Sequence, residues 1–300
     1  MAGPHVPGSE PIAAAPHGTT MAQLLTPNAN QPNDGYMHLG TLRVERAIYD
    51  DFKAAQNDLG HGSHEAVDQL YALEHARTPI DVRSTKVGQD EFGAREGRPT
   101  ISWAPHGALL NTNGSTQSPA MGLVHEEGHA TRWLAAPQQY NADSQKYPVG
   151  SSERATWTTP EERRNITGLE DRIGKALHEG LRADHHGQGY SSRGPTSIES
   201  EGVHRVSERI AHLAREGTSV PPVGLGAAAV VGFDHQKHTG SMVDIGHGEM
   251  AQSIGQGRYM IYEVARDLHG VRPPEGIKST TIDPQGHVQD HVMPGQALGR

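Results

Sequence analysis

Between Ala120 and Ala130 the chain places four ionisable side chains, His125, Glu126, Glu127 and His129, inside an otherwise apolar run of Met121, Leu123, Val124 and Ala130. Ser118-Pro119 just ahead carries two marks of a helix start, a Ser at the N-cap and a Pro at the first helical position, so the segment is predicted to be a helix. Burying such a helix puts charge into a low-dielectric interior, which is tolerated where the groups are paired or bound to a metal. The fold must therefore bring partners to these side chains. Residues four apart share a helix face, so His125 and His129 can present imidazole nitrogens to one ion. Glu126 can then reach a water on that ion as a general base without being a ligand.

The chain has no Cys and 20 His, so a metal site must be built from imidazole and carboxylate, a set that suits zinc. A catalytic zinc takes a third protein ligand and keeps a position open for water. One familiar pattern places a Gly and then a His soon after the second His. Here His129 is followed by Ala130-Thr131-Arg132-Trp133-Leu134-Ala135, which argues against that class. The acidic cluster Glu161, Glu162 and Glu170 offers a carboxylate instead.

Residues 1–35 are rich in Pro, Gly, Ala and Asn without periodicity and read as a disordered leader. Apolar residues recur at helical spacing from Leu42 to Leu59, and again from Ser63 through Val67, Leu70, Leu73 and Ala76. Short strand-like runs at Pro79–Val87 and Pro99–Ala104 flank a polar stretch, Gly88–Arg98. Helical patterns follow from Pro160, over Leu169–Leu181, and over Ser197–Glu216. Residues 218–229 read as a linker. Short β-like pieces come next at Met242–Ile245, Met250–Ile254, Tyr259–Val264 and Ile277–Ile282. The predicted fold is α+β: a largely helical metallopeptidase domain with a small sheet (36–217), a linker (218–229), a small β-rich accessory module (230–290) and a tail (291–300).

The segment from about Thr100 to Tyr190 resembles the NleD-type effector zinc metallopeptidases of bacteria, which are distantly similar to clostridial neurotoxin light chains. The resemblance rests on Ser118-Pro119, on Leu123-Val124-His125-Glu126-Glu127-Gly128-His129-Ala130, on Glu161-Glu162-Arg163-Arg164-Asn165-Ile166-Thr167-Gly168-Leu169-Glu170-Asp171-Arg172-Ile173, and on Leu181-Arg182. It implies a zincin-like fold and assigns the third ligand to Glu162, with Glu161 and Glu170 as the other candidates. It also implies that Arg182 steadies the oxyanion of the tetrahedral intermediate. The family often has a Tyr three residues after that Arg. This chain has His185 there, so His185 or Tyr190 is the candidate replacement donor. The bland readings are a solvated carboxylate cluster at a helix start and an Arg beside exposed helix-end carbonyls. The segment around Gly240–Val243, Ala251–Gly255, Tyr259–Tyr262 and Gly276–Lys278 weakly resembles the KfrB-like β domains of conjugation-related proteins, implying a binding or secretion accessory role. His235, His238 and His247, with Asp234 and Asp244, match no helix face and read as chance clustering in a His-rich chain.

A net charge of −9 argues against a broad nucleic-acid surface. No Lys or Arg precedes an apolar run at the N-terminus and no apolar run of membrane-spanning length occurs, so neither a cleaved signal peptide nor a membrane span is expected. The function expected is a zinc endopeptidase, an effector or toxin secreted without a cleaved signal to act on a signalling or membrane-traffic protein in a target-cell cytosol; a cytoplasmic location is the other expectation. Two further readings stand beside it: a non-catalytic His-rich zinc-binding or interaction protein, and a degenerate peptidase that keeps zinc for stability, to which His185 in place of Tyr gives weight.

Overall fold

The computed structural model describes residues 14–215, 230–232, 235–254, 259–273 and 276–290. The chain forms two compact units, Met1–Ile198 and Glu199–Arg300. Both mix helices with small sheets, three sheets in all among the described residues.

The first unit opens with a short helix, α1 (Met21–Leu24), whose N-cap Thr20 exchanges hydrogen bonds with Gln23 in a capping box. Met21, Leu24 and Leu25 are buried in the main core, and the Tyr49 hydroxyl donates to the Leu25 carbonyl at 2.8 Å. The composition of 1–35 predicts disorder, but a capping box and three apolar anchors hold this part of it against the core. What the sequence predicts for 1–13, for 216–229 and for 291–300 lies outside the described residues.

Five strands, β1 (Tyr36–Leu39), β2 (Leu42–Glu45), β3 (Ile80–Ser84), β4 (Glu91–Arg95) and β5 (Arg98–Trp103), form a sheet in the order β1-β2-β3-β5-β4. The helix expected from Leu42 to Leu59 is interrupted here. Leu42 and Val44 are buried and alternate with half-exposed Arg43 and Glu45, the two-residue period of a strand. Arg43 Nε donates to buried Asp81 on β3 at 2.7 Å. The helix proper, α2 (Tyr49–Gly62), follows a single 3₁₀ turn and leads through extended Ser63 into α3 (His64–Glu74). The polar stretch Gly88–Arg98 contains β4, an edge strand. It reads as a loop because an edge strand exposes much of its length and needs few apolar residues.

A second sheet, ordered β7-β6-β8, consists of β6 (Gly107–Asn111), β7 (Thr116–Gln117) and β8 (Gly187–Ser191). Between β7 and β8 the chain forms α4 (Pro119–Ala135), α5 (Pro137–Asp143), α6 (Ser152–Trp157), α7 (Pro160–Asn165) and α8 (Asp171–Leu177). Helix α4 starts at Ser118-Pro119, as predicted, and is buried over most of its length. The Trp103 indole N–H donates to the Pro119 carbonyl at 2.8 Å, tying the end of β5 to the first turn of α4. Between α7 and α8, Ile166–Glu170 form a π-helical turn, so the three segments run on as one helix with a local change of winding.

The second unit holds α9 (Glu201–Arg215), β9 (Val230–Gly232), β10 (His238–Gly246), β11 (Glu249–Ser253), β12 (Tyr259–Glu263), α10 (Val264–Asp267), β13 (Gly276–Ile282) and β14 (Val288–Asp290). The sheet order is β14-β13-β10-β11-β12-β9, with β12 and β9 parallel and the other pairs antiparallel. Val243, Ile245, Ala251 and Tyr259 pack with Val206 of α9. Alternate residues Met242, Met250, Met260 and Tyr262 pack with Leu268 and Ile282. Helix α9 belongs to this unit, whereas the sequence places it in the domain ending at 217. Composition marks the break at the Pro- and Gly-rich 218–229, but compactness marks it between Ile198 and Glu199. No helix among the described residues is long and apolar enough to cross a membrane.

Candidate metal centre

Helix α4 presents His125 and His129 one turn apart, with their Nε2 atoms 3.1 Å from each other. Glu162, in the first turn of α7, completes the group: its Oε2 lies 3.1 Å from His125 Nε2 and 3.3 Å from His129 Nε2. These three atoms could hold a metal ion, and they form the one such group among the described residues. Glu162 Oε2 is shut off from solvent yet accepts no aligned hydrogen bond, although three imidazole nitrogens stand around it. A carboxylate oxygen in that state is short of a positive partner.

The other two carboxylates of the cluster sit on the far side of the rings. Glu170 Oε2 is 2.7 Å from His125 Nδ1, and Glu161 Oε1 is 3.2 Å from His129 Nδ1. Both are themselves held: Gln117 donates to Glu170 at 2.8 Å, and Arg164 clasps Glu161 through two guanidinium nitrogens. Carboxylates at Nδ1 fix the tautomer and orientation that leave Nε2 free to ligate. Glu161 and Glu170 therefore face Nδ1, and Glu162 alone of the three faces Nε2.

Two local features let α4 and the α7–α8 segment approach this closely. A Cβ on Gly128 would stand 2.2 Å from Asn165 Oδ1 and 2.8 Å from Leu169 Cδ2. Asn165 is held in that position by donating to the His125 carbonyl at 2.7 Å. The second feature is the π-helical turn. Glu162 and Glu170 are eight residues apart, and the turn's i→i+5 winding absorbs about one extra residue, so the remainder is close to two full helical turns. Both carboxylates consequently face His125.

Burial alone would pull the His125 imidazole down, but Glu162 and Glu170 outweigh it and raise it to about 10. His129 is raised in the same way by Glu161 and Glu162. Burial works against Glu162 and Glu170 as anions, yet the imidazoles beside them win and hold both below the usual carboxylate range. The rings and the carboxylates thus favour each other's charged forms. A metal must displace those ring protons.

Glu126 turns toward a cavity of about 170 Å³, which His125, Arg182 and His185 also line. Burial raises its carboxyl, with His125 and His129 opposing. Glu127 points the other way, is fully buried, and accepts a hydrogen bond from the Gln56 amide. Arg182 NH1 lies 3.6 Å from Glu170 Oε2. His185 Nε2 is 3.2 Å from Glu162 Oε2, and its Nδ1 is 3.1 Å from the Thr158 hydroxyl. Burial lowers His185 to about 4, so it is neutral. Tyr190 is not part of the centre: its hydroxyl donates to the Ile198 carbonyl at 2.6 Å, and its place on β8 turns it away. Of the two candidate donors, His185 lines the cavity and Tyr190 does not.

Comparison with protein-family models, curated proteins and solved structures finds no match.

Sequence reasoning missed Asp90, which lines the cavity from the loop before β4. Its Oδ1 accepts the Ala104 N–H at 2.6 Å, and burial raises its carboxyl to about 7. Nothing in the local pattern distinguishes it from the exposed Asp and Glu residues nearby. Gln117, Asn165 and Gly128 were equally silent, since their roles depend on contacts far along the chain.

Proposed function

We propose that the chain is a zinc-dependent peptidase with a zincin-like catalytic unit. The observation that carries this reading is the convergence of His125 Nε2, His129 Nε2 and Glu162 Oε2 beside the Glu126 cavity. Zinc–ligand bonds of about 2.0–2.1 Å in a tetrahedron put neighbouring ligand atoms about 3.3 Å apart. The three separations, 3.1, 3.1 and 3.3 Å, fit that spacing. Two imidazoles and one carboxylate, each imidazole backed by a further carboxylate, make a donor set suited to a hydrolytic zinc.

Bound zinc would supply Lewis acidity at the scissile carbonyl and acidify the attacking water. Glu126 takes the proton from that water and passes it to the leaving amine. Burial favours the first step by lifting the basicity of the carboxylate. Neutral His185, with Thr158 at Nδ1, can carry its proton on Nε2 and donate to negative charge developing on the carbonyl oxygen. Arg182 adds a fixed cation on the cavity wall beside Glu170. The resemblance to NleD-type effectors extends the proposal to a protein substrate in a target cell, reached by export.

Metal analysis of untagged protein tests the reading, with one zinc per chain expected in the wild type and loss in His125→Ala and Glu162→Ala. Glu126→Gln should keep the zinc and lose at least about a hundredfold in turnover. A Glu126→Gln protein that binds zinc and cuts at the wild-type rate overturns the assigned base.

The position of His185 favours a second reading. Its Nε2 is as near to Glu162 Oε2 as the other two imidazoles are. Drawn in from outside the three-atom group to become a fourth protein ligand, it would close the site, which is the mark of a structural zinc. His185→Ala separates the two: the catalytic reading keeps zinc affinity and loses rate, whereas the structural reading loses affinity.

A further inference from the structure

The cavity beside Glu126 contains a carboxylate that neither the ligand set nor the proton relay uses. The Gln117 amide is spent on Glu170, and Ser118 gives both its N–H and its hydroxyl to Glu179. Arg182 stands against Glu170. Asp90 is different: it is oriented by its bond from Ala104 and enters no ion pair among the described residues. Its Oδ2 is the nearest atom to Gly122, 3.5 Å from where a Cβ would stand. Gly122 is one helical turn before Glu126 on α4, so Asp90 lies about 5 Å along the helix from the base.

Part of the wall around Asp90 is bare backbone, set beside the apolar side chains of Ala108, Leu109 and Met121. Gly88, Gly107, Gly122 and Gly189 all line the cavity. Gly107 and Gly189 pack closely on Ala104 and Gly88, whereas a Cβ on Gly122 would meet only Asp90, so the wall beside the carboxylate stays open. Bare backbone leaves room for a long, thin side chain, with a carboxylate at the wall to meet its end. An unpaired, partly desolvated carboxylate gains most from a ligand that brings its own cation.

We propose that this cavity is a substrate subsite for a Lys or Arg side chain flanking the scissile bond, with Asp90 as its counter-ion. The proposal rests on the peptidase reading, and its test separates the two.

Zinc-loaded full-length wild type, Asp90→Asn and Asp90→Lys are each incubated with a peptide library made by cutting a proteome after Glu, and cleavage positions are read by mass spectrometry. Asn keeps the acceptor for Ala104, so the fold is spared. Wild type should cut with Lys or Arg enriched at one fixed position within two residues of the cut. Asp90→Asn should lose about tenfold or more of that preference, the scale of one charge-assisted contact, and Asp90→Lys should turn it toward Asp or Glu. Wild-type cuts without basic enrichment, or enrichment that survives Asp90→Asn, overturn the proposal. Cuts confined to the first peptide bond overturn the side-chain assignment in favour of an α-ammonium group.

A parallel titration with propylguanidinium, followed by NMR, is independent of cleavage. Binding by zinc-loaded wild type that weakens about tenfold in Asp90→Asn supports the cation subsite; equal binding, or none, overturns it. A protein that holds zinc and binds propylguanidinium but cuts nothing sinks the peptidase reading alone.

Discussion

Glu170 approaches Nδ1 of His125 at 2.7 Å, while Glu162 approaches Nε2 of the same ring at 3.1 Å. One imidazole is thus gripped from both sides by carboxylates of a single helical run. The two carboxylates should fail differently. Glu162→Ala removes a ligand and should abolish stoichiometric metal binding. Glu170→Gln leaves all three ligands but loosens the ring, and should weaken metal affinity about ten- to a hundredfold. Competition against a chelator of known affinity reads both, and equal losses would contradict the division of roles.

Gly128 and Gly122 lie on the same helix with opposite surroundings. Gly128→Ala forces a methyl group onto Asn165 and Leu169, and Asn165 cannot yield without releasing the His125 carbonyl. We expect a net loss of about 1–3 kcal/mol in unfolding free energy, together with weaker metal binding. Gly122→Ala meets only Asp90 Oδ2 at ordinary contact distance. It should leave stability unchanged or improve it by up to about 1 kcal/mol through helix propensity. Urea unfolding of the two variants checks the contrast.

Burial raises Glu127 to about 8, against the stabilising pull of the Gln56 amide on its ionised form. Its ordinary value is 4.5, so the folded protein holds a proton that the unfolded chain has released. The resulting stabilisation is complete below pH 4.5 and is lost as the pH rises through about 8. Glu127→Gln imitates the protonated acid at every pH. Its stability advantage over wild type should therefore grow from pH 5 to pH 9, by on the order of 1–3 kcal/mol. Thermal unfolding across that range that shows parallel curves for the two proteins would remove Glu127 from the pH dependence.

Leu24 and Leu25 follow a capping box that docks on the core. Either Leu→Ala change should cost about 2–5 kcal/mol. A solvated leader would register nothing, so denaturant unfolding distinguishes the two directly.

The helix carrying His125 and His129 was legible from sequence because its signals are local: a Ser-Pro start, an apolar surround and a four-residue spacing. The acidic cluster was visible too, and the resemblance singled out Glu162, but the contacts of Glu161 and Glu170 with Nδ1 were not visible. The contact of Glu170 with Nδ1 depends on the winding of Ile166–Glu170, and no residue pattern announces a π-helical turn. Strand β2 was read as helix because Val44, Ala47 and Ile48 fit a helical spacing, while the alternation of Leu42 to Glu45 is too short to compete. Asp90 and Asn165 act through partners fourteen and forty residues away in the chain, a range at which composition and periodicity carry no signal.

The wide turn at Ile166–Glu170 makes backbone winding, and not only residue identity, a specification of the centre. Regular α-helical winding through all five of these residues would rotate Glu170 by about 100° relative to Glu162, leaving every named side chain present and His125 without its Nδ1 partner. Substitutions across Thr167 and Gly168 that favour regular winding would therefore disturb the centre without touching any side chain that faces the imidazoles.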